Sequence, residues 1–160
     1  MAETMRAALD DGTGQYIVQD VPMPEMFEGA AMIRVRQTGI CGSDLHVTTS
    51  RTEAQTMPSG HEVAGEIVEI PKGDHDLQVG DRVAIEMIGG GRACMSCHFC
   101  SYGQWRHCLN MAVDTGGGFA QYMTRRPAGL FKIPDSMDWT DAALVEPMAV
   151  SVHGFRFGQT

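Results

Sequence analysis

The feature that most constrains this chain is a cluster of cysteines between positions 94 and 108. Four of the five cysteines lie there, and the first three are separated by two residues each. Four thiolates at such spacings can converge on one tetrahedral zinc ion. Because four protein ligands leave no position for a substrate, a zinc ion bound here would be structural. The predicted ligands are Cys94, Cys97, Cys100 and Cys108.

Other interpretations of these cysteines are open. They could form a pair of disulfides or remain free thiols in the core. The close spacing and an N-terminus without the apolar segment of a secretory signal argue against disulfides. A thiol-based redox or zinc sensor is a further alternative. It requires reactive thiols of low pKa, whereas zinc-saturated cysteines resist alkylation.

The composition is that of a globular chain. Hydrophobic residues make up 43% and charged residues 20% of the 160 positions, which suits one domain with a sizeable core. The net charge of -8 argues against a nucleic-acid partner, since such proteins present a basic face. No apolar run approaches the roughly 20 residues that span a bilayer. We therefore predict a cytoplasmic protein that binds neither nucleic acid nor membrane.

The order of apolar and polar residues predicts a mainly β architecture with a few short helices, and the 19 glycines and seven prolines indicate many turns. Ser43 or Asp44 is predicted to cap a short helix through His46, followed by a loop over 48–59. Strands are predicted over 5–9, 16–19, 31–36, 63–70, 82–86, 119–123 and 130–133.

Helical signals return near the end of the sequence. Thr140 is predicted to cap a helix over 141–145. Pro147 suits the first turn of a second helix, which we expect to run to about Phe157. Glu146 is therefore expected at the break between the two helices, near the positive end of the second.

Three distant segments offer ligands for a second metal ion: Cys41, His61 with its neighbour Glu62, and Glu146. Each also has an ordinary structural interpretation. A single cysteine is often a small buried hydrophobic residue, a histidine can be a hydrogen-bonded turn residue, and a glutamate can interact with a helix dipole. Spacing in the sequence does not show that these side chains meet.

The order and local context of these segments resemble the zinc-dependent medium-chain alcohol and polyol dehydrogenases. The resemblance covers nearly the whole chain and implies a GroES-like, partly open β-barrel over residues 1–160, with a structural-zinc lobe at about 89–118. The motifs that carry it are Gly39-x-Cys41-Gly42-Ser43-Asp44-x-His46, Gly60-His61-Glu62, the cysteine cluster and Val145-Glu146-Pro147.

The resemblance implies a catalytic zinc ion bound by Cys41 and His61, with Glu146 binding directly or through water. Glu62 is implied to approach the metal transiently. Two zinc ions per chain are therefore expected. A glutamate at position 146, where many alcohol dehydrogenases have cysteine, is similar to the sorbitol-dehydrogenase branch and implies a polyol, sugar or secondary-alcohol substrate.

Three further residues near Cys41 are predicted to support the chemistry. Ser43 can accept the hydroxyl proton of the substrate, and His46, whose imidazole can carry a proton, can release it to water. Asp44 is predicted to hold the second ring nitrogen of His61. The alternative for Ser43 and Asp44 is a simple helix cap.

The family that this sequence resembles uses NAD or NADP, bound by a Rossmann domain through a G-x-G-x-x-G turn. None of the glycine clusters of this sequence lies between a strand and a helix in that pattern. We therefore expect a catalytic domain without its Rossmann domain, inactive alone. The alternative is a non-catalytic zinc-binding or interaction module that keeps only the structural zinc. The sequence does not name the substrate or the nucleotide, and a homo-oligomer is compatible with it.

Overall fold

Strands dominate the computed structural model, which describes residues 3–50, 52–113 and 115–158, without the side chains of 47–50. The helices are α1 (Gly42–Ser50), α2 (His98–Ser101), α3 (Trp139–Ala143) and α4 (Val145–Phe157). The strands are β1 (Thr4–Asp10), β2 (Tyr16–Pro22), β3 (Ala31–Thr38), β4 (Val63–Glu69), β5 (Arg82–Ile85), β6 (Tyr122–Arg125) and β7 (Leu130–Lys132). The predicted mainly β fold is confirmed.

The strands form two sheets, one of β1 and β2 and the other of five strands in the order β6-β3-β4-β5-β7. A bridge from Ala7 to Ala120 and a hydrogen bond from the Ala8 N–H to the Phe119 carbonyl (2.8 Å) connect the two sheets into a partly open barrel. All strand pairs among the described residues are antiparallel, so this part of the chain contains no βαβ unit.

The main core lies against one face of the five-stranded sheet. Successive strand residues point to opposite faces, so Val63 and Ile67 of β4 face this core while Ala64 faces the other side. Burial of a side chain such as Ile67 contributes about 1.5–3 kcal/mol. The core consists of Ala31, Ile33, Val63, Ile67, Val83, Ile85, Met123 and Leu130.

Helix α3 covers the opposite face of the same sheet. Ala142 of α3 is fully buried and packs with Ala64, Ala84 and Ile133. The two small alanines of the sheet leave room for a helix at this face. Strand β4 contributes buried residues to both cores, so both faces of the sheet are packed at the start of β4. His61 and Glu62 immediately precede this packed part of the strand.

Helix α1 differs from its prediction. It continues to Ser50 instead of ending at His46, and so occupies the start of the predicted loop over 48–59. Neither Ser43 nor Asp44 precedes the helix, since both lie within its first turn. The backbone N–H of Cys41 instead donates to the Asp44 carboxylate (3.0 Å). The backbone donor just before the helix is therefore hydrogen-bonded.

Three other elements begin at residues different from those predicted. The strand predicted over 119–123 begins only at Tyr122, because the preceding residues bridge to β1. Asp138, and not Thr140, caps α3, since its side chain accepts the Thr140 N–H (2.8 Å). Helix α4 begins at Val145, so Glu146 lies in its first turn, just after the break and near the positive end of the helix as predicted. No helix in the described ranges is both long and apolar enough to cross a membrane.

Candidate metal centres

The pairing of β3 with β4 brings the distant segments of the first candidate centre together. Thr38, the last residue of β3, pairs with Val63, the first residue of β4. One step further, the Gly39 N–H donates to the Glu62 carbonyl (2.8 Å). Cys41 follows this junction and His61 precedes it, so two residues that are far apart in the sequence become neighbours.

The backbone around Cys41 is held by Asp44. Besides the bond from the Cys41 N–H, the Asp44 N–H donates to the Cys41 carbonyl (3.0 Å). These reciprocal bonds form at the first turn of α1 and fix the backbone that carries the thiol. Sequence reasoning placed Asp44 beside His61 but did not identify this second role.

The ligand atoms of Cys41, His61 and Glu62 all lie within 4.8 Å of one another. Zinc–ligand distances of about 2.0–2.3 Å would bring tetrahedral ligands to separations of roughly 3.3–3.8 Å, so a small contraction would close the group. A thiolate, an imidazole and a carboxylate are all ligands that zinc accepts, and three protein ligands keep one coordination position open. The three residues therefore fit a catalytic zinc ion.

Asp44 lies next to the ring of His61. One carboxylate oxygen is 3.7 Å from His61 Nδ1, and the residue is only 6% exposed. This separation is longer than a hydrogen bond, but the carboxylate is placed on the Nδ1 side of the ring. A carboxylate in this position is suited to support a histidine that binds a metal ion.

Glu146 lies near this group but is not part of it in the structure. Among the described residues, the set of ligand atoms within 4.8 Å includes Glu62 and not Glu146. Burial raises the pKa of Glu146, and the negative charges of Glu62 and Glu86 raise it further, while His61 opposes the shift. The carboxylate is thus within electrostatic range of the cluster, and its role as a ligand stays a prediction.

Ser43 and His46 lie on α1 and are both exposed. Ser43 lines a cavity of about 530 Å³, and His61 lines the same cavity. The predicted first acceptor of the substrate proton therefore shares a space with a candidate metal ligand. The proton relay from Ser43 to His46 stays a prediction.

The second candidate centre is the cysteine cluster. The ligand sulfurs of Cys94, Cys97, Cys100 and Cys108 lie within 4.8 Å of one another, and none of these cysteines forms a disulfide. The Cys97 and Cys100 sulfurs are 3.5 Å apart, and those of Cys94 and Cys100 are 4.0 Å apart. Four sulfurs about 2.3 Å from one zinc ion would be separated by about 3.8 Å, so the group fits a tetrahedral zinc ion.

Backbone N–H groups point at these sulfurs and favour thiolates. The Cys108 sulfur accepts from the N–H groups of Cys94 (3.3 Å) and Asn110 (3.4 Å). A hydrogen bond from the Ser96 side chain, with one from its N–H, lowers the pKa of Cys94 to about 5. Burial, with hydrogen bonds to neighbouring sulfurs, raises the pKa of Cys100 to about 12. Metal binding would deprotonate all four thiols.

Two local features of the cysteine segment, residues 89–118, were not found from the sequence. Met95 has a φ of 58°, and it is the only non-glycine residue with positive φ in the described part of the chain. This conformation turns the chain between Cys94 and Cys97. A Cβ at Gly89 would collide with the Trp105 ring. A glycine is therefore needed at position 89, where the backbone packs directly against that ring.

The sheet and the two groups of ligand side chains define the class of the molecule: a β-barrel domain with two groups of side chains that could each hold a metal ion. The family follows from sequence comparison. The chain belongs to the alcohol dehydrogenase GroES-like domain family, which it matches over residues 28–135. The predicted family is therefore confirmed.

Proteins similar to this chain in sequence or in structure include several dehydrogenases. The chain is 34% identical to sorbitol dehydrogenase of Bacillus subtilis, over 94% of this chain and 44% of that protein. It superposes on galactitol-1-phosphate dehydrogenase from Escherichia coli with a TM-score of 0.79 (28% identity, 97% of this chain and 45% of that one). An alcohol dehydrogenase from Escherichia coli CFT073 in complex with NADH also gives a TM-score of 0.79 (27% identity, 99% and 47%). The chain thus spans less than half the length of these relatives.

Proposed function

We propose that residues 1–160 form the catalytic domain of a zinc-dependent dehydrogenase that transfers hydride from a secondary alcohol or polyol to NAD or NADP. The observation that carries the proposal is the convergence of the Cys41, His61 and Glu62 ligand atoms beside an open cavity. The relatives, a sorbitol dehydrogenase and a structure with NADH among them, support the substrate class and the cofactor. We place the protein in the cytoplasm.

In this proposal, Cys41, His61 and Glu62 would hold the catalytic zinc ion, and Glu146, in the first turn of α4, would be a further ligand, directly or through water. When bound, the ion supplies Lewis-acid chemistry that favours loss of the hydroxyl proton. The four clustered cysteines hold a second, structural zinc ion, which keeps the segment over 89–118 folded.

The remaining residues orient ligands and move the proton. The Asp44 carboxylate lies 3.7 Å from His61 Nδ1 and would orient the ring of His61 when the metal is bound. Ser43 lines the cavity, and its hydroxyl would accept the proton of the substrate hydroxyl. His46, one turn further along α1, passes that proton to water. Such a relay contributes about 10²–10⁴-fold to the rate.

Zinc content tests the proposal. We expect two zinc ions per wild-type chain by elemental analysis, and two peaks of anomalous scattering at the zinc edge, one of them beside Cys41 and His61. Cys41→Ser and His61→Gln should each retain one zinc ion. His98→Gln, which changes an exposed histidine beside the cysteine ligands, is the matched control and should retain both. A single zinc ion in the zinc-saturated wild type, at the cysteine cluster, would exclude the catalytic site and favour the non-catalytic module.

A further inference from the structure

The cavity beside the first candidate centre is lined by basic side chains. His61 and Ser43 form part of its wall, and three arginines form another part: Arg92, Arg106 and Arg125. No aspartate or glutamate is among the described residues that line it, although the chain has 20 acidic and only 12 basic residues. The charge of the cavity wall is therefore opposite to that of the whole molecule.

Arg125 places a buried positive charge behind this wall. The residue is 1% exposed, and its terminal nitrogens donate to three carbonyl oxygens, of Thr115, Thr124 and Gly116, and to the Met87 sulfur. Its Nε is buried and has no acceptor within the described residues. None of the acceptors is charged, so the guanidinium is hydrogen-bonded but lacks a counter-ion.

The surroundings of Arg125 leave this charge largely uncompensated. Burial lowers the pKa of Arg125 to about 9, and the positive charge of Arg92 lowers it further, while Glu86 opposes the shift. The Glu86 carboxylate is itself bound to the N–H groups of Ile88 (2.8 Å) and Gly89 (2.6 Å). Since a pKa of about 9 still lies above neutrality, Arg125 stays protonated at neutral pH, and an anion in the cavity would offset its charge.

Arg92 and Arg106 have donors that can reach such an anion. The Arg92 Nε donates to the Ala112 carbonyl (2.9 Å), which orients the guanidinium and leaves its terminal nitrogens available. Arg106 is exposed on the short turn Trp105–His107. The ion pairs found among the described residues include no arginine, so no carboxylate competes for these donors there.

We propose that this cavity binds a phosphorylated substrate, a phosphate monoester of a polyol or secondary alcohol. Arg92 and Arg106 hold the phosphate, and the reacting hydroxyl faces Ser43 and His61. A dianionic phosphate suits planar guanidinium groups, which bind it through paired N–H donors. An uncharged polyol would leave three positive charges without a partner. This inference rests on the proposed dehydrogenase function.

Isothermal titration calorimetry of the zinc-loaded chain tests the inference, at constant ionic strength because charge pairing is screened by salt. The probe is glycerol 3-phosphate, and glycerol, glycerate and NADH are the comparisons. We expect glycerol 3-phosphate to bind at least about tenfold more tightly than glycerol or glycerate. Arg92→Gln and Arg106→Gln should each weaken its binding by about tenfold to a hundredfold. Arg156→Gln, which removes an exposed positive charge on α4, should leave it unchanged.

The other outcomes separate the two proposals. Equal binding of glycerate would overturn the phosphate ester as the ligand class. Displacement of glycerol 3-phosphate by NADH, with NADH binding lost in Arg106→Gln, would assign the arginines to the cofactor instead. Two zinc ions without any effect of the arginine variants would overturn this inference and leave the proposed function standing. Phosphate binding by a chain with only the cysteine-bound zinc would overturn the substrate assignment.

Discussion

Single residues decide whether the ligand atoms of the first centre can meet. A Cβ at Gly39 would collide with the carboxylate and Cβ of Glu62. Gly118 similarly leaves space for Thr38 and Val63, the pair that closes β3 against β4. The ligand group of Cys41, His61 and Glu62 therefore depends on these glycines as well as on the ligands themselves. Residues without a side chain let the two segments approach closely enough to share an ion.

Replacement of Gly39 by alanine should displace Glu62 and weaken zinc binding at the first centre. We expect affinity there to fall about tenfold or more, comparable to the loss of a group that orders a ligand. Competition with a chelator measures this affinity. Gly42→Ala is the matched control, since a Cβ at that position meets no atom within 4 Å. Equal zinc affinity in the two variants would contradict the role of Gly39.

At the level of elements, Arg82 connects the five-stranded sheet to α3. Its guanidinium donates to the carbonyls of Pro134, Asp135 and Met137, and it lies over the Trp139 ring, 4.0 Å from the centroid. The helix thus docks through one side chain from β5 as well as through its buried alanines. Because α4 follows α3 directly, this contact also sets where Glu146 lies relative to β4 and β5.

Replacement of Arg82 by alanine should destabilise the fold by about 2–4 kcal/mol, since several charged hydrogen bonds and a cation–π contact are lost together. Urea unfolding followed by circular dichroism measures the change. Arg34→Ala is the control, because that exposed residue makes one 3.3 Å hydrogen bond to Tyr122 and lies 5.8 Å from its ring centroid. We expect it to cost less than about 1 kcal/mol. Equal losses in both variants would refute the docking role.

The whole molecule combines a self-supporting sheet with a segment that has little core of its own. The main core draws all its residues from the strands and none from the cysteine segment. Among the described residues of 92–113, only Ala93 and Cys100 are buried. A segment with so few buried apolar side chains depends on its metal for order, whereas the sheet does not.

Removal of zinc should therefore unfold the cysteine segment locally and leave the sheet folded. We expect amide hydrogen exchange, followed by mass spectrometry, to accelerate over 94–108 after chelation, with little change in β3, β4 and β5. Addition of zinc should restore the protection. Loss of protection throughout the sheet on chelation would show instead that the two parts fold as one cooperative unit.

Local patterns were enough to predict the strands and the spacing of the cysteine cluster, but not the short helix α2. Strand alternation and glycine turns depend on neighbouring residues, and Cys94, Cys97 and Cys100 are brought together by the turn at Met95 and the short helix α2. Element ends were predicted less well, because Asp138 and Thr140 are both good cap residues and only backbone geometry selects Asp138. The long α1 was missed because its second half lacks an apolar pattern.

The sequence by itself determined the mainly β fold and the four clustered sulfurs, because short-range spacing limits where those atoms can go. Only the tertiary structure shows that the ligand atoms of Glu62 lie within 4.8 Å of those of Cys41 and His61, and that three arginines share a cavity with His61. These residues come from separate segments whose distances depend on strand pairing and loop packing. No local pattern encodes such distances.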